Sequence, residues 1–135
     1  MSFVEISHTA DVKIQIRAPT LEALFSDACD ALMQVIYGTS RKGILKKDIA
    51  ITSQDIDSLL LDFLSEVLFV SEVEAIVFSK ADVHIDGTNL YAELEGEPFN
   101  RQKHAKGTEV KGISYSGLLI RHDANGFMVE ILFDV

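Results

Sequence analysis

Asp11 and His8, in the polar stretch Ser-His-Thr-Ala-Asp, and Asp134 beside Val135 are the residues whose types could do chemistry. A histidine and an aspartate this close could act as base and orienter, or as ligands of a cation. Their commonest roles are plainer: the aspartate caps a turn and the histidine hydrogen-bonds locally. At the other extremity, Val129, Ile131, Phe133 and Val135 alternate with Glu130, Leu132 and Asp134, the pattern of a strand running to the last residue. Successive strand side chains point to opposite sides, but a terminal carboxylate is expected to swing back toward Asp134. Asp134, the oxygens of Val135 and a third anionic oxygen from Asp11 would then make a hard-cation site of the Ca²⁺ type, with Mg²⁺ or Mn²⁺ as alternatives. A wet edge aspartate kept for solubility is the plain alternative for Asp134, but it leaves the abrupt ending unexplained.

Other chemistry finds less support. One cysteine and four dispersed histidines, without C-x-x-C or H-x-x-x-H spacing, do not build a zinc cage. Cys29 falls beside Ala28 and Leu32 on an apolar helical stripe and reads as a small buried hydrophobe. No Ser-His-Asp constellation, glycine-rich phosphate loop or dinucleotide fingerprint is present, so a hydrolase built on His8 and Asp11 lacks a nucleophile and the chain is not expected to be an enzyme. Arg101, Lys103, His104, Lys106, Glu109 and Lys111 gather positive charge in an acidic chain. They read first as a solvated loop and second as a docking surface for an anionic ligand or an acidic partner patch.

The elements that must position these residues follow from periodicity. Val4, Ile6 and His8, then Val12, Ile14 and Ile16, alternate with polar residues and predict two strands around the Ser-His-Thr-Ala-Asp turn. Thr20 is the expected N-cap of a helix whose stripe is Leu21, Leu24, Phe25, Ala28, Leu32, Val35 and Ile36, stopped by Gly38. A weak strand is expected at about 44–52. Ile56, Leu59, Leu60, Phe63, Leu64, Val67 and Leu68 predict a second helix capped by Ser53 or Asp55. Hairpins are expected around Asp86–Gly87 and Asn125–Gly126, with a long aperiodic loop over 97–112 between them. Two amphipathic helices need one apolar surface to cover. The expected fold is therefore α+β, a two-layer sandwich of a mostly antiparallel sheet packed with two amphipathic helices.

With 135 residues, 47% of them hydrophobic, the chain can build one core, and two prolines without any linker-like tract argue for a single domain over 1–135. A net charge of −9 disfavours a protein whose main task is gripping a phosphate backbone. No signal peptide is recognisable and no apolar run reaches the roughly 18 residues of a membrane span. The expectation is a soluble, cytoplasmic protein that does not meet a membrane.

In order and spacing, "SHTADVKIQIRAPTLEALFSDACDALMQVIYG", "DIDSLLLDFLSEVLFV", "GEPFNRQKHAKGTEVKGISYSGLLI" and the ending "ILFDV" resemble the archease family across nearly the whole chain. The resemblance implies a small protein that assists the GTP-dependent RNA-splicing ligase of tRNA splicing and RNA repair, promoting its guanylylation and repeated turnover, and meeting RNA only through that partner. It also implies a bound divalent cation, calcium first, on Asp11, Asp134 and Val135, and a partner-activating role for Lys111, Glu109 and His104 nearby. Departures are Ser116, where the family commonly has histidine after the tyrosine, Phe127, near which it has a tryptophan, and a final valine in place of isoleucine. Ser116 leaves no imidazole for any role that histidine has.

Overall fold

The computed structural model describes residues 11–105 and 107–135. The expected strand over 4–8, His8 and the turn before Asp11 lie outside the described residues, as does Lys106. The element order is β1 (Asp11–Ala18), α1 (Leu21–Tyr37), β2 (Leu45–Thr52), α2 (Ile56–Glu74), β3 (Ile76–Asp86), β4 (Asn89–Pro98), α3 (Arg101–His104), β5 (Gly112–Ile113), β6 (Arg121–Asp123) and β7 (Gly126–Asp134). The fold is α+β with antiparallel strands and two long amphipathic helices, as expected. The strands form two sheets: β1-β7-β5 with β6 also on β7, and β2-β4-β3.

Local signals fix both long helices. Thr20 is extended, and its hydroxyl accepts from the Ala23 amide at 3.1 Å. Gly38, at φ 89°, ends α1 in a backbone region that side chains disfavour. Asp55 caps α2, its carboxylate accepting from the Ser58 amide at 2.7 Å. These bonds satisfy main-chain donors that a helix start leaves open. The stripes of α1 and α2 meet between the sheets, where Leu24, Phe25, Leu59, Leu60, Phe63 and Leu64 are fully buried. Cys29 lies among them, and burial pushes its thiol up to about 12, so it is the inert hydrophobe that its position suggested.

α1 also runs along the outer edge of β3. Ser26 donates to the Ala81 carbonyl at 2.8 Å, and the Arg41 guanidinium, just beyond the helix, donates to the Phe78 carbonyl at 2.9 Å and to Asp30 at 2.7 Å. Carbonyls of that edge are thereby occupied by side chains. No helix among the described residues is long and apolar enough to cross a membrane.

Two expectations need correction. The segment after β4 is not a plain solvated loop. β4 runs to Pro98 and α3 follows, capped by Asn100 and carrying a fully buried His104. The run after Ile113 is not a continuous strand either. Gly117 takes φ 73°, the Ile120 amide turns away to the Asp57 carboxylate at 2.8 Å, and within 112–123 only the short pieces β5 and β6 pair with β7. A carboxylate in the first turn of α2 has outcompeted a strand neighbour for that amide.

Candidate functional site

Asp11 and Asp134 are direct cross-strand partners in the antiparallel β1–β7 register, and Gly112 of β5 pairs Asp134 from the other side. Alternation puts Val12, Phe133 and Ile113 against the core and sends Asp11 and Asp134 to the outer face. Directly opposed side chains stand roughly 5 Å apart at Cβ, and like charges so placed repel. Gly112 adds no side chain to this row, and a Cβ built there would meet nothing within 4 Å. The result is a cleft of about 300 Å³ lined by Asp11, Gly112, Ile113, Ser114 and Asp134.

The described residues around the two carboxylates leave them uncompensated. Lys13, next along the same face, is drawn to Glu130 at 3.4 Å. Among the described residues neither Asp11 nor Asp134 makes an ion pair. The Asp134 carbonyl is already used, accepting from the Lys111 amide at 2.7 Å, which anchors the chain beyond the cleft. The Ser114 amide donates to Leu132 at 2.9 Å, which carries the ladder one residue past β5 and brings Ser114 to the cleft. Val135 packs its side chain toward the core, opposite in sense to Asp134.

These donors fit a hard cation and not a soft one. Aspartate carboxylates, a serine hydroxyl and main-chain oxygen suit Ca²⁺, Mg²⁺ or Mn²⁺. No group of three His, Cys, Asp or Glu side chains with metal-binding geometry occurs among the described residues, so any further oxygens would come from the main chain, Ser114 or solvent.

The other expected site residues separate. Lys111 joins the cleft through its main chain, with its side chain exposed, and Glu109 is exposed one residue before the buried Val110. His104 is not at the cleft: it is buried beside Glu97, its ring 6.3 Å from Tyr37 and 6.0 Å from Phe99. Its Nδ1 accepts from the Asn100 amide at 2.9 Å, so Nε2 carries the proton and donates to Glu97 Oε2 at 3.0 Å. Lys103 Nζ donates to both Glu97 oxygens at 3.0 and 2.8 Å, and the Lys42 amide adds a bond of 2.8 Å. The Lys103 hydrogen bond, then those from Lys42 and His104, hold the Glu97 carboxyl at about 2 against the opposing pull of burial. His104 therefore orders the chain that leads to Lys111 and does not face a ligand.

Sequence reasoning missed Glu97 and Gly107. A Cβ at Gly107 would run into the carbonyl oxygens of Val35 and Ile36, where the Thr108 amide donates to Val35 at 2.9 Å. Its only sequence signal is a lone glycine in a basic stretch.

Comparison with known proteins places the chain and its fold. A sequence model of the Archease protein family (MTH1598/TM1083) matches residues 3–135. Protein archease of Methanosarcina mazei is 32% identical over 136 residues, spanning 96% of this chain and 93% of that one. Protein archease of Saccharolobus islandicus is 35% identical over 137 residues, spanning 99% of each. The solution structure of Methanobacterium thermoautotrophicum protein 1598 superposes with a TM-score of 0.82 at 31% identity, over 94% of each chain. A Thermotoga maritima archease, described as a possible chaperone, superposes with a TM-score of 0.70 over 95% of this chain and 93% of that one; at 16% identity the likeness is one of fold.

Proposed function

The chain belongs to the archease family, and from that premise we propose that it is an activating cofactor protein for the GTP-dependent RNA-splicing ligase of tRNA splicing and RNA repair. In this role it promotes guanylylation of the ligase and its repeated turnover, is not itself a catalyst, works in the cytoplasm and meets RNA only through the ligase. The observation that carries the reading is the Asp11–Asp134 pair, set side by side beside Gly112 with no countercharge among the described residues. A divalent cation, Ca²⁺ first and Mg²⁺ or Mn²⁺ otherwise, would be held by both carboxylates and by oxygen of Val135. Bound there, it would supply positive charge at the end of the β1–β7 pair. This chain does the rest: the Lys111 main-chain amide on the Asp134 carbonyl fixes the strand carrying Asp134, and Lys111 and Glu109 are exposed on the segment leading to it.

Calorimetric titration of CaCl₂ and MnCl₂ into the protein, beside a multiple-turnover ligation assay with purified ligase, tests this. Asp11→Ala and Asp134→Ala should abolish cation binding and stimulation while the far-ultraviolet circular dichroism stays that of the wild type. Full stimulation by both variants would end the cation-centred account. The alternative is a general chaperone with several clients, a role in the spirit of the Thermotoga description. Recovery of many unrelated proteins and no ligase from a tagged chain would favour it.

A further inference from the structure

The outward side of α2 has no part in the cation site. Asp62, Ser65, Glu66, Phe69, Glu72 and Val73 are exposed on it, at spacings that place them on one side of the helix. Phe69 is 59% and Val73 65% exposed, and they stand one turn apart. A lone exposed apolar residue is ordinary; here the pair is embedded in charge of a single sign. No lysine or arginine occurs between Lys47 and Lys80. The last turn of α2 carries no base, so Glu72 and Glu74 sit at the end of the helix where the dipole favours cations. Lys47 answers Glu74 at 2.8 Å, but Glu66 and Glu72 have no ion pair among the described residues. Folding gains little from this arrangement, since Phe69 and Val73 are exposed and Glu72 stands at the helix end where the dipole favours a cation.

We propose that this face of α2 docks a cationic, apolar-studded surface of the protein partner. A partner apolar side chain seats against Phe69 and Val73, and lysine or arginine groups meet Glu66 and Glu72. The inference rests on the ligase reading, because a protein that grips RNA phosphates carries cationic surface of this kind. The same negative field repels RNA and anionic lipid, which leaves protein as the occupant. Burial of the apolar pair would supply residence time, and the charges would supply association rate and salt dependence.

The test uses the whole chain, fluorescently labelled and titrated with purified ligase over a series of KCl concentrations. The variants are Glu66→Lys with Glu72→Lys, Phe69→Ser, and Asp11→Ala. All lie at exposed positions, and circular dichroism checks that each remains folded. The double reversal should weaken the complex at least about tenfold at low salt and flatten its salt dependence. Phe69→Ser should weaken it about tenfold at every salt concentration. Asp11→Ala should lose stimulation while its complex still weakens with added salt, because the α2 carboxylates are unchanged. Wild-type affinity and salt slope in the double reversal would overturn the docking face and leave the cation reading standing. Weakened binding by the α2 variants together with full stimulation by Asp11→Ala would do the reverse. No complex with the wild-type chain would overturn both.

Discussion

Replacing Glu97 by glutamine removes a nearly enclosed negative charge that the fold has surrounded with donors: Lys103 Nζ, the Lys42 amide and His104 Nε2. The folded chain holds this carboxyl at about 2 against an ordinary 4.5. At 1.36 kcal/mol for each tenfold change in proton affinity, that displacement is worth about 3 kcal/mol of stability, a large part of the margin of a small domain. Since the folded value is the lower one, the contribution is complete above the unfolded value and is lost as pH falls from about 4.5 toward 2. Urea unfolding of wild type and Glu97→Gln at pH 7, 5, 4 and 3 measures it, because the difference between the two chains cancels every group they share. The gap should be about 3 kcal/mol at neutral pH and should shrink to about half of that at pH 3. A gap that stays constant across this range, or no gap at pH 7, would refute the assignment of Glu97 as the charged centre of the cluster.

Gly107→Ala should destabilise the protein by about 2 kcal/mol or more and lower the thermal midpoint by several degrees, because the new methyl meets main-chain carbonyls of α1 that no rotamer change can clear. A melting curve like that of the wild type would show that the 105–108 turn is not pressed against α1 in solution. Leu60→Asp puts an unpaired charge where the wild-type side chain is fully buried, and it should abolish the cooperative transition in far-ultraviolet circular dichroism. A retained transition would place α2 outside the core.

What was legible from the sequence was local. Thr20, Gly38 and Asp55 mark helix ends through bonds to neighbours three or four residues away, and apolar spacing shows which face each helix buries. The outward placement of Asp11 and Asp134 follows from alternation alone. That they lie opposite each other is a matter of register between strands more than a hundred residues apart, and the fold supplies it. Long-range competition for donors and acceptors explains what was missed. The 97–112 segment has no periodicity because Glu97 gathers Lys42 from beyond α1 and Lys103 and His104 from α3, and Gly107 is read only against the carbonyls of α1. The split into two sheets has no sequence signal either, since each strand alternates equally well in either sheet.

Two rows of like charges on the outer faces of the two sheets show why the Asp11–Asp134 pair is the one to ask about. Across β2-β4-β3, Asp48, Glu93 and Asp82 are direct neighbours, a larger concentration of negative charge than the pair on β1 and β7. Yet that row is answered from within the chain: Lys46 approaches Glu93 at 3.7 Å, His84 approaches Asp82 at 3.6 Å, and the Tyr91 hydroxyl, its pKa raised chiefly by this bond, donates to Asp48. On β1 and β7 the equivalent diagonal cation, Lys13, is turned to Glu130, which Gln15 also reaches at 3.3 Å. Each carboxylate of that row thus has a partner among the protein's own side chains, whereas among the described residues Asp11 and Asp134 have none. On the other, the third place in the row is Gly112, whose missing side chain leaves room where a countercharge would stand. A carboxylate row left open by the described residues, in a chain that gives the larger row side-chain partners, is the arrangement expected if the missing charge arrives from solution.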